Sequence, residues 1–325
     1  MEIAPSQTAR PQQYAPPSTE SCVASEDLSR HDTMLAAGHT TNATGTRPYP
    51  GPTQLLSLAR ELHDALTSRM TERQILLFQP VSPKEFTTLL SHIQHHCGIL
   101  KLDYNDLSQL LVVKIVPGWD HEYTTALLRK LIDKQLATMN LDDEYNSLAS
   151  PLVPLHHGSK QPDACWIPNS SPRRPTCVVE VGTSESRECL AIDAHRWLEA
   201  SDTCIKTVVT ISFKYLEAET HENPLTISIW ELGSQRHNMI TRSSYPHARP
   251  ATTLNICRRN GLLSVLGSHL DPLTLVETET DEIRLPLDAL IGRPPVNSGE
   301  KDVVLTKNMV LKMFDELLQS RTSEY

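Results

Sequence analysis

Two acidic residues stand in apolar surroundings, where a carboxylate is costly to bury unless it binds a cation or a hydrogen-bond donor. Glu180 interrupts the apolar run Cys177–Gly182, and Asp163 follows Pro162 earlier in the chain. Two hard carboxylates and a nearby main-chain carbonyl suit Mg²⁺ or Mn²⁺, with water filling the remaining positions. The sequence therefore predicts a divalent-metal site at these residues.

The two residues can converge only if their segments form neighbouring strands. Side chains alternate along a strand, so Glu180 shares one face with Val178 and Gly182, and the residues between them face the other way. Glu122, in the first turn of a predicted helix, could reach the same point, and Asp193 on a second helix is a weaker candidate.

Each acid also has a plain structural explanation. Glu122 favours a helix N-terminus through the helix dipole, and Asp163 after a proline fits an ordinary turn. Glu180 is the hardest to explain in this way, although a buried pair with Arg196 or Arg173 would do so.

Other catalytic and metal templates are absent from the sequence. There is no GxSxG elbow, P-loop, GxGxxG or HExxH motif. The pairs at 95–97 and 156–157 contain adjacent histidines, which do not converge on one ion. Seven cysteines without a CxxC pair indicate a reducing compartment rather than a disulfide scaffold.

Composition limits partners and location. The 325 residues carry a formal net charge of -9, which counts against a protein that coats nucleic acid through basic charge. No apolar run approaches the roughly 18 residues of a membrane span, and no secretory signal is visible. We expect an intracellular protein, cytoplasmic or nuclear, with no membrane partner.

The elements that must position the acids follow from composition and periodicity. Residues 1–52 are rich in proline and poor in large apolar side chains, which predicts a disordered tail. Residues 53–108 form a predicted N-terminal helical extension, with helices over 53–69 and 83–96 and a strand at 75–78.

Residues 109–325 are predicted to form one α+β domain with a mixed central sheet flanked by helices. Its helices are expected over 121–139, 185–200 and 306–319. Its strands are expected at 110–116, 161–168, 175–182, 206–213, 225–232, 261–266, 273–276 and 282–287, with a polar connection at 233–250.

The run from Lys160-Gln-Pro-Asp163 through Val178-Val-Glu-Val-Gly182 and Asp193-Ala-His-Arg-Trp197 to Ile205-Lys-Thr-Val-Val209 resembles the PD-(D/E)XK, or restriction-endonuclease-like, superfamily. It is most similar to uncharacterised fungal members, over about residues 110–320. The resemblance implies Mg²⁺-dependent hydrolysis of phosphodiester bonds, with Asp163, Glu180 and the carbonyl of Val181 as metal ligands and Glu122 in support.

The sequence departs from that pattern at the motif lysine, whose position holds Gly182. Lys160 and Lys206 are the candidates for a substitute ammonium.

Three functions remain open. The leading expectation is a nuclease acting on DNA, and the alternative is a catalytically inactive binding or scaffold module on the same fold. The third is a structural protein whose buried acids are merely paired. A homodimer is expected only by analogy with restriction-like folds, since the sequence contains no coiled-coil repeat.

Overall fold

The computed structural model describes residues 45–68, 70, 71, 73–93, 99–116, 118–183, 187–200, 204–214, 224–233, 247–259, 262–271 and 274–322. Of the tail predicted over 1–52, residues 1–44 lie outside these ranges, whereas Thr46–Arg47 form a strand and Pro52 begins a helix, so the predicted bound of the tail is too late.

The described helices are α1 Pro52–Thr67, α2 Pro83–Ile93, α3 Trp119–Thr138, α4 Arg187–Leu198, α5 Leu287–Ile291 and α6 Lys307–Thr322. The strands are β1 Thr46–Arg47, β2 Ile75–Phe78, β3 Leu100–Asn105, β4 Leu110–Ile115, β5 Tyr145–Ala149, β6 Val153–Leu155, β7 Gly158–Lys160, β8 Ala164–Pro168, β9 Cys177–Gly182, β10 Thr207–Phe213, β11 Leu225–Leu232, β12 Ala248–Arg259, β13 Leu262–Leu270, β14 Glu277–Glu279, β15 Glu282–Leu285 and β16 Val303–Thr306. None of the described helices is long and apolar enough to cross a membrane.

The strands form two large sheets and a small two-stranded sheet of β15 and β16. The first sheet has the order β1-β2-β4-β3-β7-β6, and the second has the order β14-β13-β12-β11-β10-β9-β8-β5. The pairs β1–β2 and β9–β10 are parallel, and the other pairs in these sheets are antiparallel. The fold is therefore mixed α+β, as predicted, but the prediction of one central sheet was wrong, because β4 belongs to the first sheet and β8–β11 to the second.

The helices divide the core into layers. Helices α1 and α2 cover one face of the first sheet through Leu55, Leu89 and their neighbours. Helix α4 lies between the two sheets: its Ile192 packs on the first sheet, and its Trp197 packs on the second. Helices α3 and α6 cover the other face of the second sheet. Burial of apolar side chains in these layers stabilises the fold and holds the sheets together.

Several predictions of elements need correction. Of the strand predicted over 273–276, residue 273 lies outside the described residues, and residues 274–276 do not form a strand, because β14 begins at Glu277. The predicted strand over 161–168 begins at Ala164, since β7 ends at Lys160 and a bend follows. Strands β3, β12 and β16 were not predicted. The segment 53–108 is not only helical, because it contributes β2 and β3, and β3 pairs with β4 across residue 108.

Candidate functional site

Asp163 and Glu180 belong to neighbouring strands. Strand β8 pairs antiparallel with β9, and Ala164 stands opposite Val179. Asp163 comes one residue before Ala164, so it lies level with Glu180. Its own N–H donates to the carbonyl oxygen of Val179 at 2.9 Å. The expectation that the two segments are adjacent strands is confirmed.

The faces of β9 also follow the predicted alternation. Val178 packs against α4, whereas Val179 and Val181 pack into the core that contains α3. Glu180 therefore faces α4, where the indole Nε1 of Trp197 donates to its Oε1 at 2.6 Å. Strand β9 also orients Asp163, because the backbone N–H of Val181 donates to Asp163 Oδ2. Both carboxylates are thus fixed by neutral donors.

The first sheet contributes two further side chains of opposite charge from β3. Leu100, Leu102 and Tyr104 face the core under α1 and α2. The alternate residues Lys101 and Asp103 consequently face the second sheet, and both are buried. The ammonium of Lys101 forms an ion pair with Asp163 Oδ1. A side chain from the first sheet therefore contacts an acid of the second.

Lys160, at the end of β7, lies among three acids. Its Nζ pairs with Asp193 on α4 and lies 3.4 Å from Asp103 Oδ2 and 3.7 Å from Glu180 Oε1. The same ammonium is 5.5 Å from the ring centroid of Trp197, within the range of a cation–π contact. The Lys160 side chain is only 6% exposed.

Three more contacts complete the group. Arg196 Nε lies 3.5 Å from Asp103 Oδ1, and Lys114 Nζ lies 3.7 Å from Asp193 Oδ2. His121 Nε2 lies 3.1 Å from Asp163 Oδ1. We define the charge cluster as the four acids and four bases Asp103, Asp163, Glu180, Asp193, Lys101, Lys114, Lys160 and Arg196. Its formal charges cancel when all eight groups are ionised.

A small cavity lies inside the charge cluster, between the two sheets. Its lining includes all three lysines of the cluster together with Asp103, Glu180 and Asp193. The cavity volume accessible to water is about 20 Å³, which is enough for one water molecule. The cavity has no room for a nucleotide in this conformation.

Burial and neighbouring charge shift the pKa values of the site. Burial lowers the pKa of Lys101 to about 7, against the opposing effect of Glu180. Burial also lowers the pKa of His121 to about 4, so its ring is neutral at pH 7. Burial raises the pKa of Glu180. For Lys160, burial acts to lower the pKa, but the three surrounding acids outweigh it and raise the pKa.

Not all the predicted site residues come together. Asp163, Glu180, Lys160 and Asp193 belong to the charge cluster, and Val181 joins it through its N–H. The Glu122 side chain is 58% exposed and lies 3.5 Å from His121 Nδ1. Its carboxylate is therefore beside the cluster rather than within it.

Lys206 is also separate from the cluster. Its Nζ binds Asp288 Oδ2 at 2.7 Å, and its side chain is 46% exposed. The register explains this position, because Glu180 stands opposite Thr210 and Lys206 comes four residues earlier. That offset is about 13 Å along the strand.

The charge cluster offers few protein ligands for a divalent ion. Among the described residues, no group of three or more His, Cys, Asp or Glu side chains is arranged to hold a metal. A cage made only of side chains is therefore absent from this part of the chain. Mg²⁺, however, usually keeps several waters and uses one or two carboxylates. Asp163 and Glu180 are the carboxylates that such an ion would use, but Asp163 does not line the cavity and the cavity admits about one water, so a hydrated ion requires a rearrangement of the cluster.

Comparisons with known proteins add little to this geometry. The sequence matches no protein-family model and no curated protein. Among solved structures, the chain is similar to a proposed nuclease of family DUF820 from Anabaena variabilis, at 8% identity and a TM-score of 0.37. The match covers 72% of this chain and 99% of that one. Similarity at this level does not establish a shared fold or activity.

Proposed function

We propose that this protein is a metal-dependent nuclease that hydrolyses phosphodiester bonds of DNA. The observation that carries the proposal is the position of Lys160, whose ammonium lies 3.7 Å from Glu180 although the motif position, residue 182, is glycine. Lysine, aspartate and glutamate are the groups that this chemistry requires, and here the run 160–163 supplies Lys160 and Asp163 and strand β9 supplies Glu180.

Energetics support a functional interpretation of the charge cluster. Moving the two charges of an ion pair from water into a protein interior costs several kcal/mol per ion. A protein in which a well-packed apolar pair of similar volume replaces the ion pair is often at least as stable. A core with eight charged side chains around a cavity is therefore expensive as a purely structural solution. Clusters of this kind, with shifted pKa values, concentrate at functional sites.

The residues of the chain have distinct tasks in this proposal. Asp163 and Glu180 would hold Mg²⁺, which supplies Lewis-acid stabilisation and a more acidic bound water. Lys160 donates to a phosphate oxygen and stabilises the negative charge that develops there. Trp197 and the N–H of Val181 keep the two carboxylates oriented, since each donates to one of them.

A second candidate is a catalytically inactive binding or scaffold module. The observation that favours it is the closed state of the cluster: its charges are mutually paired, and its cavity admits water but no nucleotide. In this candidate the charge cluster has a structural role: its ion pairs hold the first sheet against the second, and it binds no substrate.

Cleavage assays distinguish the two candidates. The purified full-length protein is incubated with single- and double-stranded DNA in Mg²⁺, in Mn²⁺ or in EDTA. Glu180→Gln preserves size and an acceptor for Trp197, and Lys160→Met removes the cation but keeps an unbranched side chain; thermal unfolding of both variants checks that they remain folded without this charge. Glu279→Gln on edge strand β14 and Lys312→Met on α6 are matched controls, because both side chains are exposed.

We expect metal-dependent cleavage by the wild type and both controls, and a loss of at least about 100-fold in Glu180→Gln and Lys160→Met. Cleavage that is equal in all five proteins, or that persists in EDTA, would assign the activity to a contaminant and refute the catalytic proposal. Absence of cleavage in every protein supports the second candidate.

A further inference from the structure

Both carboxylate oxygens of Asp163 are engaged by the protein itself. Oδ2 accepts the N–H of Val181, and Oδ1 faces the ammonium of Lys101 and the Nε2 of His121. The Asp163 side chain has no exposed surface. Oδ2 is fixed by the backbone of β9, and a cation that binds at Oδ1 must take the place of Lys101 or lie beside it.

Lys101 is the partner that comes from the first sheet. Its strand β3 is fixed by pairing with β4 on one side and with β7 on the other. The backbone of Lys101 thus belongs to the first sheet, while Asp163 belongs to the second. The contact between them is made by a long, unbranched side chain, which can change rotamer without breaking either sheet.

We propose that Lys101 is an internal competitor of the divalent ion at Asp163. Its ammonium occupies the oxygen that the ion needs, so the ion binds Asp163 only after Lys101 has moved away. The inference rests on the proposed function, because it takes Asp163 to be a metal ligand.

Electrostatics explain why the two cations exclude each other. Two positive charges on one carboxylate oxygen lie a few ångströms apart, and their repulsion is strong where water is excluded. Lys101 already experiences the like charges of Lys114 and Lys160. A divalent ion bound to Asp163 adds to the repulsion of Lys101 and neutralises the carboxylate that attracts Lys101. The Lys101 side chain is therefore the one that moves away.

Metal titration by calorimetry tests the competition without relying on activity. Mn²⁺ and Mg²⁺ are titrated into the full-length wild type, Lys101→Met, Lys101→Gln and Lys101→Arg. The first two variants remove the charge, and glutamine retains a donor for Asp163 in case methionine destabilises the fold. Arginine retains the charge. Lys114→Met is the matched control, because Lys114 faces the same cavity but pairs with Asp193.

We expect the neutral variants to bind Mn²⁺ at least about tenfold more tightly than the wild type, since close charge pairs couple strongly. Lys101→Arg should bind like the wild type, and Lys114→Met should gain less than about threefold because its partner is a different acid. Asp163→Ala should lose the binding in every background.

Two other results overturn the inference in different ways. Equal affinity of the wild type and both neutral variants, with binding lost in Asp163→Ala, would refute the competition but leave the proposed metal site intact. Absence of binding at millimolar metal in all variants would refute both the competition and the metal-dependent function.

Discussion

His121 shows how burial controls a single titrating group in this site. Its ring contacts Asp163 on one side and lies near Glu122 on the other, yet burial dominates and lowers its pKa to about 4. The imidazole is therefore a neutral polar group in the native protein near pH 7. Protonation would place a positive charge beside Lys101, which already carries one.

This neutral histidine predicts a loss of stability in acid. Between pH 6.5 and pH 4 the unfolded chain protonates His121 while the folded chain does not, so the unfolded state binds more protons and stability falls as the pH falls. The shift corresponds to at most about 3 kcal/mol. Urea unfolding of the wild type and His121→Gln from pH 7 to pH 4 measures it.

The comparison with His121→Gln isolates the histidine from Glu180. The raised pKa of Glu180 has the opposite sign, because that group contributes stability below its unfolded pKa and loses it as the pH rises. Glu180 is present in both proteins and cancels in the difference. Parallel pH profiles of the two proteins would contradict the assignment of His121 as a buried neutral group.

At the scale of elements, sequence patterns identified the second sheet better than the first. The valine-rich strand β9, its neighbour β8 and helix α4 were predicted, and with them the meeting of Asp163 and Glu180. Strand β3 was missed, although Leu100–Asn105 alternates between apolar and polar residues as a strand does. Its polar residues are buried by a second sheet, which periodicity within one segment does not reveal.

Long-range pairing accounts for the other omissions. Strand β12 contains Pro250, Asn255 and Arg258, which disfavour a strand locally, but it pairs along its length with β11 and β13. Local propensity is weaker than such tertiary pairing. Lys101 and Asp103 escaped prediction for the same reason, since their partners lie more than fifty residues away in sequence.

The start of β7 requires a glycine for two reasons, a positive φ angle and a close backbone approach. Gly158 has φ +111°, and an added Cβ would lie 1.8 Å from the carbonyl oxygen of Tyr104 on β3. The close approach allows β7 to pair with β3, which in turn places Lys160 opposite Asp103. Loss of this approach would separate the two strands.

We expect Gly158→Ala to destabilise the protein by at least about 3 kcal/mol through steric overlap and backbone strain. Gly118→Ala is the control, because Gly118 has φ +97° but nothing within 4 Å of an added Cβ. That variant should lose only about 1–2 kcal/mol. Urea midpoints at constant m-value measure both changes, and equal losses would contradict the role of the close approach.

At the scale of the whole molecule, the charge cluster joins two sheets that each have an apolar core of their own. The first sheet is covered by α1 and α2, and the second by α3 and α6. Between them lie α4, the paired charges and an apolar cluster that joins Val153 and Leu155 of the first sheet to Val178 and Val208 of the second. Charge pairs depend on geometry more strongly than apolar contacts do, so this junction specifies one relative placement of the sheets.

The overall charge limits how the molecule can meet DNA. With a net charge of -9, the chain has no excess of basic groups to neutralise phosphates. We expect a Kd weaker than about 10 µM for duplex DNA at ~0.15 M salt in EDTA. Fluorescence anisotropy with a labelled duplex measures it. Submicromolar binding with a steep salt dependence would contradict this expectation and point to a basic surface.

Trp197 is an intrinsic fluorescence probe of the buried charge cluster. Its indole donates to Glu180 while Lys160 stands over its ring, so the excited ring dipole experiences both charges directly. Any rearrangement of those two groups, by a bound ion or by a substitution, should shift the emission of this one tryptophan. The wild-type emission change that is lost in Trp197→Phe would report events at Glu180 without a label or a substrate.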